Sequence, residues 1–214
     1  MPQHVDDILI WLDFAGVVVF AISGALVASR KCLDPVGFAL ISTVTGIGGG
    51  TLRDLLLGQP VFWVHQPNYV VLCVVTALLV YFIAPHIEYR YRVLLWADAA
   101  GLSLFSVLGA SLATEAGYGG IISVVMGLLT ATFGGLIRDV LCGEIPLILR
   151  KEIYATAALC GALVYACLDP LPIPYRAAEL GGISACFAVR ALGLGWGLSL
   201  PSYRPRTGRK YPRE

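Results

Sequence analysis

Asp13, Arg53 and Asp54 lie in strongly apolar surroundings, and each recurs 85 positions later as Asp98, Arg138 and Asp139. A charge at the centre of a membrane helix costs roughly 2.5–3.5 kcal/mol by insertion scales, so each of these needs a partner or water. Arg53-Asp54 closes the string Gly46-Ile47-Gly48-Gly49-Gly50-Thr51-Leu52-Arg53-Asp54. Arg138-Asp139 closes its counterpart, Ala131-Thr132-Phe133-Gly134-Gly135-Leu136-Ile137-Arg138-Asp139. Adjacent glycines loosen a helix, at about 1 kcal/mol each relative to alanine. Broken backbone at mid-membrane is tolerated inside protein or against a water-filled cavity. Freed carbonyls there can replace part of a cation's hydration shell. Gly48, Gly49, Gly50, Thr51, Gly134 and Gly135 are therefore the candidate constriction, and the six charges flank it. Close helix packing, which also selects small residues, is the competing explanation.

Other chemistries find little support. The glycine string has no Gly-Lys-Ser/Thr of a P-loop, and no strand precedes it as a dinucleotide fold requires. No Ser-His-Asp, H-E-x-x-H or cysteine nucleophile set is present, so an enzyme is not expected. His4, His65 and His86 show no ligand spacing, and the cysteines form no C-x-x-C pair, so no metal and no cofactor is expected. Nothing points to a nucleic-acid partner. Ser23, Ser42, Thr43, Thr45, Thr51, Ser103, Ser106, Thr130 and Thr132 accompany the glycines. Such hydroxyls line a pore or bond back to their own helix, and the second is the expectation for any one of them.

The elements that position these residues come in two copies. Residues 13–85 align without a gap on 98–170, matching Gly16/Gly101, Phe20/Phe105, Gly24/Gly109, Gly49/Gly134, Gly58/Gly143 and Tyr69/Tyr154. The chain has 214 residues, 57% hydrophobic and 14% charged, and its mean hydropathy is +0.78. A spanning helix needs roughly 20 apolar residues. The expected fold is an all-α membrane protein of seven transmembrane helices, at about 8–29, 34–57, 67–84, 92–113, 119–142, 153–169 and 177–198. Residues 1–90 hold the first three-helix repeat, 91–174 the second and 175–200 the seventh helix. Residues 201–214 form a basic tail expected to be disordered. Three spans per copy turn the second copy upside down relative to the first, an arrangement found in membrane transport proteins.

Twelve of the fifteen Lys and Arg residues fall on one side if loops are numbered alternately, with only Arg176 opposite and Arg53 and Arg138 within spans. The basic side is expected to be cytoplasmic, with the N-terminus outside and the C-terminus inside an inner membrane. Asp13 and Arg53 then share the outer half of the bilayer, and Asp98 and Arg138 the inner half. Two ion-paired clusters are expected on either side of the glycines. Asp54 and Asp139, about 100° around the helix from their neighbouring arginines, are expected to face elsewhere.

The G-x-G-G-G-x-x-R-D string, its R-D echo and the seven-span layout resemble the TRIC family, the trimeric intracellular cation channels, in its short bacterial and archaeal branch. The resemblance covers essentially the whole chain. It implies a potassium-permeable channel, a homotrimer with one pore per subunit inside the paired repeats, and glycine kinks in the second and fifth spans. Potassium would be the permeant, and membrane lipids the surroundings. The residues carried over are Gly48, Gly49, Gly50, Arg53, Asp54, Gly134, Gly135, Arg138 and Asp139. The lysine-rich segment of longer animal members has no counterpart in the fourth span here, so lipid regulation of that kind is not expected. A carrier for glycine or a similar small solute is the alternative.

Overall fold

The computed structural model describes the backbone of residues 3–87, 89–201 and 203, with side chains from residue 13 onward. All regular structure among these residues is helical: α1 (Gln3–Arg30), α2 (Pro35–Leu56), α3 (Phe62–His65), α4 (Asn68–Ile83), α5 (Arg90–Glu115), α6 (Ile121–Leu141), α7 (Ala155–Leu168) and α8 (Tyr175–Trp196). The expected spans sit within a few residues of seven of these. The expected tail lies, apart from Pro201 and Tyr203, outside the described residues. Among the described residues six helices are long and apolar enough to cross a membrane, and α7 is a shorter apolar helix. Its 14 residues extend about 21 Å, less than the roughly 30 Å hydrocarbon core. The chain is thus an all-helical integral membrane protein.

Local chemistry sets the helix ends. Asp34 caps α2 by accepting a hydrogen bond from the Gly37 amide at 2.7 Å, with Pro35 supplying the fixed φ of a first turn. α2 and α6 close in the same way. Gly58 (φ +66) and Gly143 (φ +63) adopt the left-handed conformation open to glycine at low cost. That turn lets the Gln59 amide reach the Asp54 carbonyl, and the Glu144 amide the Asp139 carbonyl, both at 2.8 Å.

The two copies meet face to face. α1 packs on α5 and α2 on α6, while α4 and α7 lie behind their own copies and α8 covers α5 and α7. The contacts are reciprocal. Phe20 stacks on its own counterpart Phe105, with ring centroids 5.2 Å apart. A Cβ at Gly16 would sit 3.0 Å from the Phe105 ring, and one at Gly101 3.0 Å from the Phe20 ring. Deeper in, a Cβ at Gly49 would collide with the Thr130 carbonyl oxygen, and one at Gly134 with the Thr45 carbonyl oxygen. Residue i of one copy meeting j of the other, while j meets i, is the signature of a twofold relation.

These collisions correct the expectation of glycine-broken helices. α2 and α6 remain continuous α-helix through Gly46–Gly50 and Gly134–Gly135. The glycines let the two backbones cross at a distance no side chain permits, which is the packing use of small residues between membrane helices. Gly50 faces the Phe62 ring of α3 and Gly135 the Tyr154 hydroxyl, so the triplet serves more than one neighbour. Thr45, Thr51, Thr130 and Thr132 bond back to their own helix as expected, donating to the carbonyls of Ile41, Ile47, Met126 and Leu128 at 2.6–2.8 Å, whereas Ser42 donates across to the Ala21 carbonyl of α1 at 2.9 Å.

Candidate functional site

In each copy the arginine and the aspartate that follows it form one unit. Arg53 Nε lies 2.8 Å from Asp54 Oδ1, and Arg138 Nε lies 2.8 Å from Asp139 Oδ1. The second carboxylate oxygen accepts a backbone amide from the loop beyond the helix, Phe62 N to Asp54 and Leu147 N to Asp139, both at 2.9 Å. Asp54 and Asp139 therefore do not face away from their neighbours. The long arginine stem spans the 100° between successive helix positions, and each aspartate ties the chain's return loop to the helix. The returning segments are themselves helical turns at matching positions, α3 in the first copy and the 3-10 turn Leu147–Leu149 in the second.

The third member of each cluster separates the copies. Arg138 NH1 lies 2.7 Å from Asp98 Oδ1, the expected ion pair. Ser23 of α1 joins it, bonding to the Arg138 guanidinium and approaching Asp98 Oδ1 at 3.5 Å. Asp98 and Arg138 are both 0% exposed. Asp13 and Arg53, by contrast, make no ion pair, although the charge of Arg53 acts on Asp13. Buried polar atoms without a hydrogen-bond partner occur in both clusters, Asp13 Oδ1 and Arg53 Nη1 in the first and Asp98 Oδ2 and Arg138 Nη2 in the second, so the missing Asp13–Arg53 pair is what separates them. This corrects the expected pairing of Asp13 with Arg53, whose ion pair is made with Asp54 instead.

Asp13, Arg53 and Asp54 instead border a cavity of about 430 Å³, lined also by Gln59, Phe62, Tyr69, Leu108 and Glu115. Leu108 occupies the position that Ser23 holds in the other copy, and leucine offers Arg53 no hydrogen bond. Phe62 lies under the Arg53 guanidinium at 5.7 Å and meets Tyr69 edge-on at 4.7 Å, while Phe14 stacks on Tyr69 at 4.3 Å. Asp13, Asp54 and Glu115 thus bring three carboxyl groups to the lining beside the Arg53 guanidinium.

Reading the sequence missed several participants. Arg190, counted there with the basic loops, lies inside α8 and is 1% exposed. It pairs with Glu152 at 2.8 Å, donates to the Ile153 carbonyl at 3.0 Å, and holds its guanidinium 5.1 Å from the Tyr154 ring centroid. An arginine within an apolar span was the available signal. Trp63 donates from its indole to Thr51 Oγ1 at 2.9 Å. Glu115 and Glu144 sit just beyond spans, where a charge draws no notice. No group of three or more potential metal-ligating side chains was found among the described residues.

A family model described as "Glycine transporter" matches the chain twice, over residues 10–85 and 95–170, the same 85-residue offset. The UPF0126 inner membrane protein YadS of Escherichia coli (strain K12) is 40% identical over 199 residues, 90% of this chain and 95% of its own. A TRIC trimeric intracellular cation channel orthologue from Rhodobacter sphaeroides is 53% identical, with a TM-score of 0.87 over 89% of this chain and 99% of that one. The crystal structure of a prokaryotic TRIC channel in 0.5 M KCl is 34% identical, with a TM-score of 0.85 over 90% and 98%.

Proposed function

Because the chain belongs to the TRIC family of cation channels, we propose that it conducts potassium passively through a path inside each subunit, between the two repeats. The observation that carries this is the acidic cavity at Asp13, Arg53 and Asp54, which leads from the surface to charges three residues from the Gly48–Gly50 triplet. Carboxylates at a mouth raise the local concentration of cations. Buried polar atoms with no protein partner are the groups that water or a dehydrating cation would satisfy. The constriction of that path is the α2–α6 crossing, where Gly48, Gly49 and Gly134 meet, with Gly50, Thr51 and Gly135 beside it. Any opening there comes from separation of two helices, or from bending at the glycines, which are the sites able to flex.

On this reading the repeats are inverted across the membrane. The N-terminus is outside and the C-terminus cytoplasmic, so the Asp13 mouth faces out and the Asp98 cluster faces in. The relatives named as trimers support a homotrimer with one path per subunit. The purified protein in potassium-loaded liposomes, or in a planar bilayer, is expected to carry a potassium-selective current. Asp13→Asn is expected to lower it with the fold intact. No current, together with saturable glycine counterflow, would overturn this reading in favour of a carrier.

A further inference from the structure

Beyond the end of α6, on the side of the Asp98 cluster, one carboxylate gathers three basic side chains. Glu144 lies 3.3 Å from Arg30, 3.7 Å from Lys31 and 3.5 Å from Arg150. Arg30 and Lys31 end α1, Glu144 follows α6, and Arg150 stands in the loop that leads to α7. α5 is drawn in as well: Arg150 donates to the Tyr91 hydroxyl at 2.5 Å, and the Arg30 guanidinium lies 4.8 Å from the Tyr91 ring centroid. One side chain thus gathers segments of both repeats. The Glu144 side chain keeps 13% of its exposure, and its three partners keep 25–35%. Partly exposed pairs are individually weak, so this contact can release, unlike the enclosed Arg138–Asp98 pair behind it.

The matching positions of the other copy carry a different set of side chains. There Gln59 stands for Glu144, Glu115 for Arg30, Ala116 for Lys31 and His65 for Arg150. A neutral amide opposite a carboxylate forms no ion pair. Gln59, Glu115 and Ala116 line the open cavity of about 430 Å³.

We propose that Glu144 is a positioning residue that holds the second mouth closed by drawing Arg30, Lys31 and Arg150 across it. This rests on the channel reading, since the path it closes is the conduction path. Cys142 provides a natural reporter. It lies two residues before Glu144 and is close enough to feel the charges of Arg138, Glu144 and Lys31. In the full-length protein with the other five cysteines replaced, a neutral methanethiosulfonate reagent is applied to liposomes, and labelling of Cys142 is timed beside potassium flux. Glu144→Gln and Lys31→Gln are both expected to speed labelling about tenfold, equivalent to about 1.4 kcal/mol of lost pairing. Both are also expected to raise flux. A change in thiol reactivity through local charge alone would push the two variants in opposite directions, so that result, or no change in either, overturns the proposal. Faster labelling in both variants with no flux in any protein upholds the closure and removes the channel reading instead.

Discussion

The Asp13–Arg53–Asp54 and Asp98–Arg138–Asp139 clusters have matching residues and opposite outcomes. Each places an arginine and an aspartate side by side at the end of a glycine-bearing helix, and each aspartate holds the returning loop by a 2.9 Å amide bond. In the second cluster Asp98 meets Arg138 at 2.7 Å, Ser23 bridges them, and Glu144 gathers Arg30, Lys31 and Arg150 beyond the end of α6. In the first cluster Leu108 replaces the serine and Gln59 the glutamate, and a cavity remains. A duplicated scaffold thus reuses its framework, while a few single-residue differences decide which end is filled.

The largest expected effect tests that difference directly. Asp98→Asn leaves a fully buried guanidinium short of a partner and is expected to cost about 3–5 kcal/mol. Asp13→Asn, at a buried carboxyl that makes no ion pair with Arg53, removes no such partner and is expected to cost less than Asp98→Asn. Thermal unfolding of the two variants in detergent measures the gap; equal losses would mean that the clusters are energetically alike. Next come Gly49→Ala and Gly134→Ala, each expected to cost about 1–3 kcal/mol because a backbone oxygen occupies the new methyl's place. Here the twofold contact demands similar losses from both, and a large inequality would break the proposed equivalence of the crossing. Asp54→Asn and Asp139→Asn each weaken a charge-assisted contact to arginine, at about 1–3 kcal/mol. Amide exchange at Phe62 and Leu147 should rise in the matching variant as the return loop loosens. Ser23→Ala is the smallest, about 1 kcal/mol. Leu108→Ser, its mirror change, should leave the first cavity open, since Asp13 makes no ion pair with Arg53 for a serine to bridge.

Much of the frame is legible in the residues. Long apolar runs interrupted by proline and charge gave seven helices within a few residues of their positions, because span length and backbone satisfaction leave few alternatives in lipid. The 85-residue offset brought Asp98 and Arg138 together correctly. It misled at Asp13, since matching residues do not guarantee matching distances when their neighbours differ. The glycine triplet was read as a break because propensity is local, whereas the reason for Gly49 is the Thr130 carbonyl of another helix, 81 positions away. Asp54 and Asp139 were turned away by helical angle alone, which ignores how far an arginine stem reaches and how a loop amide can recruit a carboxylate.

By itself the sequence determined the solvent, the helices and the duplication, because hydropathy, helix-ending residues and self-similarity are properties of the chain read along its length. Only the tertiary structure decided that α2 and α6 cross backbone against backbone, that Arg138 is enclosed while Arg53 borders a cavity, and that Arg30, Lys31 and Arg150 converge on Glu144. Those outcomes depend on distances between residues far apart in the chain. There, an ångström separates an ion pair from a space that water or a cation can enter.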